Sequence, residues 1–198
     1  MTINGKIGEF SRDEERARGG GHDPVVLAKA FVAAQGELPV GLVVTEKAAG
    51  CVPLVVVDNE AVGTGNGSLT TFTTVLDDFP IQPHTVNIVA GAVSFVDDGC
   101  GRLFSSAGGS GTVRYDTGAV SVTFAAAPAN ALAITADYMS EVTAVLDEAI
   151  DTAVSGSGLC IVHGSVQEDV LKVKSGAVFV AVDVAMQKRL SVKGIYPA

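Results

Sequence analysis

Between residues 62 and 138 the chain alternates apolar residues with Thr, Ser or Asn. The pattern runs through "LTTFTTVL", "TVNIVAGAVSFVD", "GTVRYDTGAVSVTFA" and "ALAITADY". A period of two turns one side chain inward and the next outward, so each run reads as a half-buried strand. The Asp-x-Gly of "YDTGAV" and the cluster "VDDGCG" supply turn chemistry between runs. About seven strands with no helix among them predict a small antiparallel, Ig-like β-sandwich. The block contains no lysine, and Asp77, Asp78, Asp97, Asp98, Asp116 and Asp137 outnumber Arg102 and Arg114. That composition sets residues 61–138 apart as a separate module.

The flanks have another texture. From Val25 to Val57, short apolar runs ("PVVLAKAF", "GELPVGLVV", "KAAGCVPLVVV") are broken by Gly36, Pro39, Gly41 and Gly50, which reads as a small β-rich unit. After Met139 the texture returns: "EVTAVLDEAIDT" and "SGLCIVHGSVQEDVL" predict two strands joined through "AVSGSG". In the last segment Val178, Val180, Val182 and Val184 alternate like a strand. However, "DVAMQKRLSVKG" ends in cations followed by glycine, a helix stop, and predicts a helix over about 177–193. Residues 1–24 are polar, Gly-rich and mixed in charge, and are expected to form a flexible arm, disordered in the isolated protein. The expected fold is mainly β with a short C-terminal helix.

Composition narrows the function classes. A formal charge of −9 over 198 residues argues against a nucleic-acid partner, whose phosphates call for Lys and Arg. No apolar run approaches the length that spans a bilayer, so no membrane partner is expected. No N-terminal apolar segment suits a secretory signal, and synthesis in the cytosol is the expectation. Aromatics make up only 6% and tryptophan is absent, which suits strand packing better than an aromatic-lined pocket. Cys51, Cys100 and Cys160 form no CxxC pair and read as reduced thiols packed as small hydrophobes, with no zinc site.

The motifs that resemble catalytic signatures have plainer readings. Gly63, Gly65 and Gly67 in "GTGNGS" alternate like a phosphate loop, but a strand follows where a helix is needed, and no lysine is near. They read as a flexible lead into that strand. The pairs Asp77–Asp78 and Asp97–Asp98 lack calcium-loop spacing, and Asp98-Gly99 is turn chemistry. Cys160 and His163 are three apart, hence on opposite faces of a strand, which defeats a shared metal site. No catalytic residue, metal ligand or cofactor is expected.

Two segments carry a resemblance. "LAKAFVAAQGELPVGLVV", and "VLDEAIDTAVSGSGLCIVHGSVQEDVL" closing with "KGIYPA", look like the small head-decoration proteins of lambda-like tailed phages. The likeness covers about residues 24–60 and 139–198. The middle block resembles a β-sandwich module recurrent in phage virion proteins. The resemblance implies a β-tulip-like decoration domain, 25–60 plus 139–198, with the sandwich inserted. The chain would leave this domain near Glu60, where the glycines mark the seam, and re-enter near Met139. It also implies a binding protein and not an enzyme: a homotrimer at local three-fold sites of the expanded head, with the major capsid protein as partner, on the outer surface of the virion. In that family the N-terminal segment orders against the capsid. Ile3, Ile7 and Phe10 in "TINGKIGEF" are the candidate capsid-contact anchors. Simple family members lack the insert, and the lambda-like type lacks a C-terminal helix of this form. A second reading makes the sandwich the working part of a virion-surface adhesion or glycan-binding protein acting on a host-surface ligand. Its aromatics would be Phe72, Phe79, Phe95, Phe104, Tyr115, Phe124 and Tyr138.

Overall fold

Four short strands come first in the structure, a computed structural model that describes residues 15–198. They are β1 (Val25–Ala30), β2 (Glu37–Leu38), β3 (Val43–Lys47) and β4 (Gly50–Pro53). The alternating block then gives β5 (Val56–Thr64), β6 (Thr71–Val75), β7 (Asn87–Ala90), β8 (Val93–Asp97), β9 (Arg102–Phe104), β10 (Gly109–Val113), β11 (Ala119–Phe124) and β12 (Ala133–Met139). These eight pair antiparallel in the order β5-β12-β7-β8-β9-β10-β11-β6. The sandwich expected for this block is thus one continuous sheet. Each strand bonds the next in series, the native twist rolls the ribbon, and the edge strands β5 and β6 come together in a nearly closed barrel. At that closure a Cβ on Gly63 would lie 2.9 Å from the Phe72 ring, so the two edges meet where one strand has no side chain. Inside, Phe124 packs edge-to-face on Phe95, 4.9 Å between centroids, and on Phe72, 5.8 Å.

The chain closes with β13 (Ala144–Leu146), β14 (Ile150–Asp151), β15 (Ser157–Val166), a 3₁₀ turn (Glu168–Val170), β16 (Lys172–Ser175), β17 (Val178–Ala181), α1 (Val184–Val192) and β18 (Ile195–Pro197). A second sheet runs β1-β15-β13-β3-β4, with β18 parallel on the end of β15. A bridge from Phe31 to Cys51 brings its two edges toward each other. The helix is shorter than its sequence signature suggested. Residues 178–181 pair with β16 in a hairpin, as the β-branched alternation favours, and Gly176 at φ 58° sits in its turn. Asp183 then caps α1, its side chain accepting from Met186 N–H at 2.7 Å.

Among the described residues, three hydrophobic clusters form the interior. One draws all of its buried residues from Val62 to Tyr138; the other two draw theirs from Ala17–Leu54 and Met139–Ile195. The crossing strands β5 and β12 pair side by side, with Val56 opposite Met139 and Val57 opposite Tyr138. The glycines of "GTGNGS" lie at the far end of β5, away from this crossing, which corrects their reading as seam markers. Gly65 packs against the 128–132 loop: its N–H donates to the Leu132 carbonyl, and a Cβ there would lie 2.3 Å from the Ala129 carbonyl oxygen. Asn66 Oδ1 accepts from Ser68 and Leu69 N–H, so this is a bonded turn and not a loose lead.

The barrel is bolted to the remainder of the chain, called here the body. Gln82 N–H donates to Met139 O, Glu141 N–H to Pro80 O, and Ile81 bridges Ser140. Lys47, in the body, pairs with Asp78 of the barrel at 2.8 Å. Asp78 N–H in turn donates to the Tyr138 hydroxyl, which donates to Glu60.

Candidate interaction surface

The segment leading into β1 folds onto β15. In "RARGGGHDP" an extended backbone puts residues 16 and 18 on one face and residue 17 on the other. Ala17 is fully buried in the body core. Arg16 and Arg18 converge on the wholly buried carboxylate of Asp147. Its Oδ2 accepts from Arg18 Nε at 2.8 Å, with Arg18 Nη2 at 2.7 Å and Arg16 Nη1 at 3.3 Å. Arg16 also pairs with Glu148 at 2.7 Å. Backbone bonds extend the contact: Ala17 N–H to Asp147 O, Gly19 N–H to Ser165 O, and Gln167 N–H to Ala17 O. His22 N–H donates to Ser165 Oγ while Ser165 N–H donates to His22 O. Close approach needs glycine here, since a Cβ on Gly164 would sit 2.6 Å from Pro24 Cα. Residues 15–24, expected within the disordered arm, are therefore part of the folded body. The capsid-contact candidates Ile3, Ile7 and Phe10 lie outside the described residues.

At the tip of this contact three rings gather. His22 and His163 stand 5.1 Å apart edge-to-face, and Tyr196 lies 6.0 Å from each. Sequence reasoning placed His163 on the face opposite Cys160, and the structure has Cys160 buried and His163 exposed. The partners of His163 are 141 and 33 positions away, and no local spacing signals them. Among the described residues no group of three or more His, Cys, Asp or Glu is arranged to hold a metal ion.

The carboxylates of Asp97 and Asp98 are absorbed by turn bonds. Asp97, buried at 5% exposure, accepts from the Tyr115 hydroxyl at 2.5 Å, His84 N–H at 2.7 Å and Gly99 N–H at 2.8 Å. Burial, then the Asp97 carboxylate, pushes the Tyr115 phenol well above its ordinary range. Asp98 accepts from Cys100 and Arg102 N–H, and the Cys100 bond leads in lowering its carboxyl below the usual value. Asp78 belongs to the seam bond with Lys47. Cys51 and Cys160 share one core cluster, and burial pushes their thiols up to about 11 and about 12. Cys100 departs from the packed-thiol expectation: it is exposed.

Two other surfaces stand out. An open cleft of about 680 Å³ lies between barrel and body, lined by Asp58 and Asp137 on the crossing strands, Lys174 of the hairpin and Arg189 of α1. On the barrel, side chains line up across strands on the outer face, all exposed except the half-buried Ser121. One rank runs Thr71, Thr123, Ser110, Phe104, Val96, and a second runs Thr73, Ser121, Thr112, Arg102. The Arg102 guanidinium sits 5.2 Å over the half-exposed Phe104 ring. No helix among the described residues is long and apolar enough to cross a membrane. Comparison of the chain with protein-family models, with curated proteins and with solved structures finds no match in any of the three.

Proposed function

We propose that this chain is a decoration protein of a tailed-phage head. It binds as a homotrimer at local three-fold sites of the expanded shell, grips the major capsid protein and stabilises the shell on the virion surface. The barrel is an insert that projects outward. The observation that supports this reading is the division of the interior. Apart from Ala17, the two body clusters draw on residues 31–54 and 139–195, within the stretches whose sequence resembles decoration proteins (about 24–60 and 139–198), and the barrel has a core of its own. A neighbouring pair of strands, β5 and β12, is the connection an inserted unit needs.

The mechanism is binding, not chemistry. A ligand that binds the expanded shell and not its precursor biases the shell toward expansion by its differential affinity. Three joined footprints add avidity with no new kind of contact. The acidic barrel repels the polyanions around a virion and limits non-specific adsorption. The test is sedimentation of the purified protein with expanded, decoration-free shells. Saturable binding near one copy per capsid subunit, absent with unexpanded shells, is the expected result; equal or no binding to both removes the reading.

A second reading has its own observation. The ranks of Ser and Thr hydroxyls beside Phe104 and Arg102 form a hydrogen-bonding face with one exposed ring, suited to a neutral sugar chain. A glycan array probed with the protein would show saccharide binding lost in Phe104→Ala if the barrel is an adhesion module. A blank array would leave the barrel without that role.

A further inference from the structure

We infer that Asp147 is the anchor of the N-terminal segment. It holds residues 16–18 to the body so that a pull on the chain before them is delivered to strand β15. The mechanical part of this inference rests on the decoration reading; the anchoring does not. Asp147 is fully buried, its Oδ1 has no hydrogen-bond partner among the described residues, and its Oδ2 is served by Arg18 and Arg16. Among the described residues, compensation for that buried charge therefore arrives from residues 129 and 131 positions earlier. Lifting the segment away would strand a carboxylate in the core, which makes partial detachment unfavourable. The fork of Arg18, with Nε and Nη2 on one oxygen, fixes direction as well as distance.

The backbone makes the same attachment. Arg18 bridges Val166 antiparallel, and Gln167 Nε2 donates to both the Arg16 and the Arg18 carbonyls. Through these bonds residues 16–22 are tied to the C-terminal end of β15, at Ser165 and Val166, and to Gln167 just beyond it. β15 itself is held by β1, β13 and β18. A tension applied ahead of Glu15 meets the charge clamp first, then a row of backbone bonds that must shear together. A tether that must hold the already expanded shell under load needs this arrangement more than it needs a large contact area.

Trypsin reads the clamp directly, because Arg16 and Arg18 are themselves cleavage sites. Cutting after both is followed by mass spectrometry in the full-length protein and in Asp147→Asn, an isosteric change that removes the charge. The expected result is cleavage at least ten-fold faster in the variant; equal rates overturn the inference. Thiol counting confirms that the variant is folded, with Cys100 alone reactive. If Asp147→Asn does not fold, the double variant R16K/R18K keeps both sites and both charges without the fork. Faster cutting there supports the clamp and unchanged cutting overturns it. On expanded shells, Asp147→Asn is expected to dissociate at least ten-fold faster than wild type. A wild type that never binds shells removes the decoration reading and leaves the protease result standing. A variant with a freed segment and an unchanged off-rate overturns the mechanical role alone.

Discussion

Burial changes the chemistry of Cys51 and Cys160. Both are fully inaccessible, and desolvation holds their thiols near 11 and 12 against an ordinary value of 9. A thiol reagent at pH 8 is expected to titrate one cysteine, Cys100, in the native protein and three after unfolding. Two or three in the native state would contradict this packing. The stability consequence has a definite sign. Between pH 9 and 11 the unfolded chain releases these protons while the folded chain keeps them, so stability is full below pH 9 and falls above it. The slope is up to about 1.4 kcal/mol per pH unit for each thiol. Tyr138, pushed up by burial and by Glu60, acts in the same direction. A melting temperature flat from pH 8.5 to 10.5 would show the thiols to be solvated. Glycines divide by surroundings as sharply as cysteines. Gly41, at φ 76°, leaves no room: a Cβ would lie 2.1 Å from the Val170 carbonyl oxygen. Gly36, at φ 77°, faces open space. Gly41→Ala is expected to cost more than about 3 kcal/mol and Gly36→Ala about 1 kcal/mol in chemical denaturation. Similar losses at both sites would place the cost in the backbone alone. None of this separation is written locally in the sequence, where Gly36 and Gly41 look alike, nor is the meeting of Arg16 with Asp147.

At the scale of elements, strands were legible and their closure was not. Alternation fixed the inward positions of β7, β8, β11 and β12, whose buried residues fall at every second place until Met139, at the end of β12, turns into a body cluster. Whether eight strands stack as two sheets or roll into one depends on which edges meet, and β5 and β6 meet at a glycine that a period of two does not report. The C-terminal segment carried two valid local signals, strand to about Ala181 and helix from Asp183, and reading them as one element hid the hairpin. "GTGNGS" misled for a similar reason. Glycine marks a turn but not which end of a strand the turn closes. The crossing itself makes a sharp prediction. Val56 faces Met139 in register, and Ser140 N–H donates to Val55 O at 2.9 Å, so the two cut ends already touch. Replacing residues 57–138 with a short Gly-Ser linker is expected to leave a body that melts cooperatively with Cys51 and Cys160 still unreactive. A body that unfolds on excision would show that barrel and body form one cooperative unit despite their separate cores.

For the molecule as a whole, each part has a distinct task under the proposed function. The body carries the attachment, the clamped root passes force into it, and the barrel stands clear on two paired strands. The barrel does not swing freely on those strands. Lys47–Asp78 and the backbone bonds around Met139 to Glu141 hold it in one orientation against the body. A bolted insert presents its hydroxyl-lined face at a fixed angle on every copy, which favours repeated, aligned contacts over a lattice. The measurement that tests this account most directly is an electron cryomicroscopy reconstruction of expanded shells saturated with the protein. The account predicts three copies around each local three-fold axis, bodies against the shell and barrels outermost. Density at other axes, barrels against the shell, or bare three-fold axes at saturating protein would contradict it.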